Sequence, residues 1–181
     1  MHPKDRTLRT YAELGRGLDR AEFVGRHPHP FLVEEGNLAD ETPDRANLQF
    51  STVEIAAADA RVGALLSVRI LGDSRVLPVV KRASGTFEGM VFVGRADNND
   101  LVQDDASVSK FHAFFTKDPT EDAYSLTDAG SMNGTFVNDQ RLEPHASHWL
   151  QPGDVVSFGR TRAFRFQHAD TLHQLACLVS A

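Results

Sequence analysis

Asp128-Ala129-Gly130-Ser131-Met132-Asn133-Gly134-Thr135-Phe136-Val137-Asn138 is the stretch on which the fold reading turns. It opens with turn formers, passes through Asn-Gly, and runs into the short apolar burst Thr135 to Val137. Glycine and asparagine supply the backbone freedom and local hydrogen bonds that end one strand and start the next. An earlier stretch has the same make-up. Gly94-Arg95-Ala96-Asp97-Asn98-Asn99-Asp100-Leu101 leads on to Ser107-Val108-Ser109-Lys110-Phe111-His112-Ala113.

Outward from these loops the period is two. Leu66, Val68 and Ile70 alternate with polar residues, and Gly72-Asp73 turns the chain into Val76 to Lys81. Met90–Val93, Ala113–Thr116, Ala123–Thr127, Val155–Phe158 and Ala163–Gln167 read as further strands. Asn138-Asp139 and Pro152-Gly153 mark turns between them. Phe164 and Phe166 share one face of the last strand. Regular short strands with glycine turns and no long helix between them predict an all-β, antiparallel β-sandwich.

The flanks read differently. Leu8, Tyr11, Ala12, Gly15 and Leu18 lie on one face of a helix over residues 5–18, with Asp5 as its expected cap. Asp19 and Glu22 form a second capping pair before Phe23 and Val24. His27-Pro28-His29-Pro30 ends that helix, because each proline disfavours helix at the residue before it. Phe31-Leu32-Val33 fits a short strand or a docking segment, and residues 34–47 read as acidic linker. Gln49 to Arg61 fits either strand or helix. Leu172, Leu175, Ala176 and Val179 predict a C-terminal helix with Asp170 as its cap. The expected organisation is an extension over 1–62, the sandwich over 63–168, and a helix over 169–181 packed on it.

Composition narrows the function. The chain has 181 residues, 41% hydrophobic, with 12 Phe, enough for a sizeable core. Its net charge of −6 argues against general attraction to nucleic acid or an anionic membrane. With one cysteine, Cys177, no secretory apolar segment and no spanning run, the expected setting is cytoplasmic.

Taken singly, the polar loop residues read modestly. Arg95 offers a planar fork of donors suited to carboxylate or phosphate, but a lone Gly94-Arg95 is better read as a surface arginine paired with Asp97 or Asp100. Ser109 and Lys110 add a hydroxyl and a second cation. Four aspartates in the same stretch mean that any anion site must be built from a few converging donors. His112, among apolar neighbours, reads as a partly buried histidine whose ring bonds to loop backbone. Asn133 can clamp a peptide main chain or simply fill a turn.

In combination these motifs resemble the forkhead-associated (FHA) domain. The order is Gly-Arg, Asn-Asp-Leu, Ser-Val-Ser-Lys-Phe-His-Ala, Asp-x-Gly-Ser-x-Asn-Gly-Thr-Phe-Val-Asn, then Leu150-x-Pro-Gly-Asp-Val-Val-Ser-Phe-Gly159. The resemblance covers residues 64–168 and implies an 11-stranded FHA/SMAD-like sandwich whose apical loops bind phosphothreonine peptides. It implies that Arg95 grips the phosphate, Ser109 donates to it, Lys110 adds charge or a backbone contact, and Asn133 holds the peptide. Gly94, His112 and Gly134 would be scaffold. Many members carry threonine where this chain has Met132, which cannot donate; Ser131 is the candidate to compensate. Gln103, in place of the usual apolar residue, predicts a less buried strand. The implied partner is a phosphothreonine-containing protein, a Ser/Thr kinase or its substrate, with no cofactor.

Rival readings stay open. Gly130 to Thr135 lacks the Gly-Lys-[Ser/Thr] ending of a P-loop, and no nucleophile elbow is present, so no enzyme is predicted. His27/His29 and His145/His148 lack supporting ligands, so no metal site is expected. A phospho-independent interaction or assembly module is the main alternative. A phosphorylated threonine of the extension, such as Thr42, occupying the pocket is a third.

Overall fold

The computed structural model describes residues 6–35, 72–82, 87, 89–159 and 162–179. The expected strand over 66–70, the ambiguous stretch 49–61, most of the acidic linker, Asp5 and Thr42 lie outside these residues.

Eleven strands are present among the described residues, in two facing sheets. They are β1 (Phe31–Glu34), β2 (Val76–Pro78), β3 (Met90–Gly94), β4 (Leu101–Val102), β5 (Ala113–Lys117) and β6 (Tyr124–Asp128). The series continues with β7 (Thr135–Val137), β8 (Gln140–Arg141), β9 (Ser147–Trp149), β10 (Val155–Phe158) and β11 (Ala163–Gln167). One sheet runs β2-β1-β11-β10-β7-β8 and the other β4-β3-β5-β6-β9. All pairs are antiparallel except β3 with β4, which are parallel. The all-antiparallel expectation misses that pair, because the chain crosses over after Gly94 instead of making a hairpin.

The sandwich core follows from the alternation. Leu32, Leu77, Phe115, Leu126, Val156, Phe158, Phe164 and Phe166 interdigitate between the sheets. At full burial each phenylalanine contributes roughly 1.5–3 kcal/mol. Asn138 and Asp139 take φ of 50° and 64°, the two-residue turn that matches strand twist between β7 and β8.

Phe31-Leu32-Val33 is strand, not a detached docking segment. β1 lies between β2 and β11, with Leu32 paired to Leu77 and Phe166. Leu32 enters the inter-sheet core, while Phe31 and Val33 point the other way into a second apolar cluster. That cluster is completed by α1 (Leu8–Gly15), α2 (Arg20–Arg26) and α3 (Ala169–Val179). The sheet is thus sandwiched between the second sheet and a helical layer.

Local signals account for the helix ends, with two corrections. The first helix is capped by Thr7, in a reciprocal box with Thr10, and not by Asp5. Asp170 sits inside the first turn of α3, not at its cap, and pairs with Arg20 of α2. The Asp19–Glu22 box on α2 is formed as its sequence suggests.

Candidate functional site

The site is made where three loops meet at one end of the sandwich. β3 ends at Gly94, where a side chain would overlap the Lys110 carbonyl oxygen and lie 2.8 Å from the Asn99 amide nitrogen. The Asn99 amide fills that space, donating to the carbonyls of Ala96 (2.8 Å) and Lys110 (2.6 Å). The β3–β4 and β4–β5 loops are then zipped backbone to backbone. Arg95 N–H donates to Ser109 O at 2.9 Å, and Ala96 N–H to Lys110 O at 3.2 Å.

This zipper sets Arg95 beside Ser109. The Arg95 side chain is exposed, and its Nε–H donates to Val108 O at 3.3 Å. Asp100, one suggested ion-pair partner, instead takes the Lys81 ammonium at 3.1 Å and the N–H groups of Arg82 and Phe92. Lys110 is exposed, with no ion pair among the described residues.

His112 joins the walls of the site. It is fully buried, and its Nδ1 accepts the Ser109 N–H at 3.0 Å while Nε2 faces Gly134 O at 3.0 Å. A backbone N–H can only donate, so Nδ1 is the acceptor and Nε2 carries the proton. Burial pushes the ring's pKa below its usual value, although the Gly134 carbonyl and Asp128 oppose the shift. The ring also sits edge-on to Phe158, with centroids 5.8 Å apart.

The β6–β7 loop is organised by Asp128, to which the sequence reading assigned no role. One carboxylate oxygen takes the N–H groups of Gly130 and Ser131, and the other takes the hydroxyls of Ser131 and Thr135, at 2.6–2.9 Å. Burial alone would raise its pKa; these donors outweigh burial and the net shift is downward. Asp followed by Gly two residues on and Ser three residues on is the signature of such a side-chain-closed turn.

Ser131 is therefore turned inward. Its hydroxyl donates to Asp128 and accepts Gly134 N–H at 3.0 Å, so it does not replace the missing threonine hydroxyl. Met132 is 87% exposed at the mouth, and its backbone N–H donates to Ser109 Oγ at 3.0 Å. The Asn133 amide donates to Ser107 O at 2.7 Å, which ties this loop to the opposite wall. Gly134 has φ +87°, and its carbonyl also accepts Gly159 N–H at 2.9 Å. Gln103 is buried rather than relaxed outward, because its amide oxygen takes an Arg75 N–H at 2.7 Å.

Arg95, Ser109, Lys110 and Asn133 are thus brought to one end of the molecule on loops held by Gly94, His112 and Gly134. Among the described residues no group of three potential metal ligands occurs, and no helix is long and apolar enough to cross a membrane.

A family model, the FHA domain, matches residues 91–159. The chain is 36% identical over 118 residues to the glycogen accumulation regulator GarA of Mycolicibacterium smegmatis, covering 61% of this chain and 70% of that protein. It belongs to the FHA-domain family. This FHA protein is also 41% identical over 100 residues to an oxoglutarate dehydrogenase inhibitor of Corynebacterium jeikeium, covering 51% of its own length. It spans 65% of that inhibitor, and 9% of the longer FHA domain-containing protein PS1 of Arabidopsis thaliana. Among solved structures it is similar to the FHA domain of an Arabidopsis thaliana protein, with 29% identity and a TM-score of 0.43. That match covers 51% of this chain and 73% of the other.

Proposed function

We propose that this FHA protein is a phosphothreonine-dependent peptide-binding module in Ser/Thr kinase signalling. The observation that carries this is the backbone zipper that pairs Arg95 with Ser109, so that an exposed arginine and a serine stand side by side on two adjoining loops. A phosphothreonine brings a charge near −2 and three acceptor oxygens, and this donor set is matched to them. Arg95 takes the phosphate, Ser109 adds a hydroxyl bond and Lys110 adds charge. Asn133 holds the main chain of the peptide. Each charge-assisted bond contributes roughly 1.5–3 kcal/mol. The partner is a phosphothreonine-containing protein, a kinase or a kinase substrate. Relatives called an inhibitor and a regulator fit a module that acts by binding.

Arg95→Ala tests the proposal. Calorimetric titration with phosphothreonine peptides should lose all measurable binding, with the melting temperature unchanged. Retained affinity would sink it.

One observation favours a second reading, a phospho-independent interaction module. Met132 offers an exposed apolar side chain at the mouth, and Ser131 is committed to Asp128. Equal affinity for phosphorylated and unphosphorylated threonine peptides would select this alternative.

A further inference from the structure

One cation beside the site has no part in the proposed function. Arg141 lies on β8, an edge strand, opposite Phe136. It is exposed, and its side chain reaches back to the residue that follows Asn133. A methyl built on Gly134 would fall 2.6 Å from Arg141 Nε and 3.2 Å from Cζ. The guanidinium therefore lies against the backbone of the wall that Asn133 belongs to, in room that exists because Gly134 has no side chain. Arg141 forms no ion pair among the described residues. In and beside the strands at the other end of that sheet order, Arg75 and Arg162 are matched to Glu34, and Arg165 to Glu35.

We propose that Arg141 is a specificity-determining residue that selects peptides carrying an acidic side chain close to the phosphothreonine. The inference rests on the phosphopeptide reading above and deepens it. Arg95 and Lys110 stand on the β3–β4 and β4–β5 loops, whereas Arg141 stands beyond Asn133. It meets a peptide lying along that wall at a residue other than the phosphorylated one. Its planar fork suits a carboxylate. In a chain of net charge −6 a cation at this place with no ion pair among the described residues supplies local attraction that the protein as a whole does not. An exposed pair of this kind changes affinity by roughly two- to fivefold.

The test is a titration series with phosphothreonine peptides. One peptide has neutral flanks; the others place a single glutamate at each position in turn on either side of the phosphothreonine. Wild-type protein should gain roughly two- to fivefold with glutamate at one position. Arg141→Gln should erase that gain and leave the affinity for the neutral peptide unchanged. Arg141→Glu should reverse the preference, favouring lysine at the same position. A glutamate gain that survives Arg141→Gln, or no gain at any position, overturns the proposal. Failure of the phosphopeptide reading looks different: the neutral peptide then binds wild-type protein equally with and without phosphate, and the inference falls with it.

Discussion

Met132 donates its backbone N–H to the Ser109 hydroxyl oxygen at 3.0 Å. The bond occupies a lone pair of Oγ and leaves the hydroxyl proton as the group Ser109 can offer outward. Residues 23 positions apart in sequence thus orient one donor. The same contact fixes where the Met132 side chain emerges, at the mouth and away from the core.

Ser109→Ala should therefore weaken phosphopeptide binding by roughly tenfold or more, the value of one bond to a charged acceptor. Stability should change little, since the Met132 N–H is exposed and water can replace its acceptor. Met132→Thr should act in the opposite sense, tightening binding by roughly two- to tenfold through a restored hydroxyl. Calorimetry on the two variants checks both; tighter binding by Ser109→Ala would contradict the assigned role.

His112 makes the site sensitive to acid. Its folded pKa lies below the ordinary 6.5, so between those values the unfolded chain binds more protons than the folded one. The stabilisation is complete above pH 6.5 and declines as pH falls toward the folded value. Protonation puts a hydrogen on Nδ1 facing the Ser109 N–H, which removes that N–H's acceptor. His27 and His29 shift in the same direction, so melting curves alone mix the three. Ring titration by NMR isolates His112: its midpoint should fall below 6.5, with Nε2 protonated at neutral pH.

Removing the Asp128 carboxylate leaves four donors without their acceptor. Asp128→Ala should cost about 3 kcal/mol or more, because buried unsatisfied groups carry their full desolvation penalty. Binding should fall too, since Asn133 loses its support. Denaturant unfolding measures the first effect; a loss below about 1 kcal/mol would remove Asp128 from its organising role.

Much of the fold is legible because alternation and turn chemistry agree. β6 and β11 present apolar residues at period two, and β3, β5 and β10 are short apolar bursts, all between glycine, proline or aspartate turns. β4 and β8, at two residues, and β9, at three exposed ones, are too short or too polar to show a period. The site motifs are legible as a set, because their order survives even though each one alone reads as a turn. The direction in which a side chain points is not. Ser131 and Ser109 look alike in sequence, yet one hydroxyl is drawn inward by Asp128 and the other is held at the rim by a distant N–H. Gln103 likewise depends on Arg75, 28 residues away. Arg141 comes near Asn133 only because the β7–β8 hairpin folds it back.

The placement of β1 bears on how this protein can be cut. The matched family segment begins at residue 91, but a strand from residues 31–34 occupies an interior position between β2 and β11. A fragment starting at residue 63 would strip the pairing partner from both neighbours. It would also bare Val76 and the inner face of α3, and create a sticky open edge. Such a fragment should express as aggregate, whereas one starting near residue 6 should elute as a folded species by gel filtration. A soluble, cooperatively melting 63–181 fragment would contradict this. On this expectation the recognisable module and the smallest piece able to stand by itself are different lengths of chain, and binding assays call for the longer one.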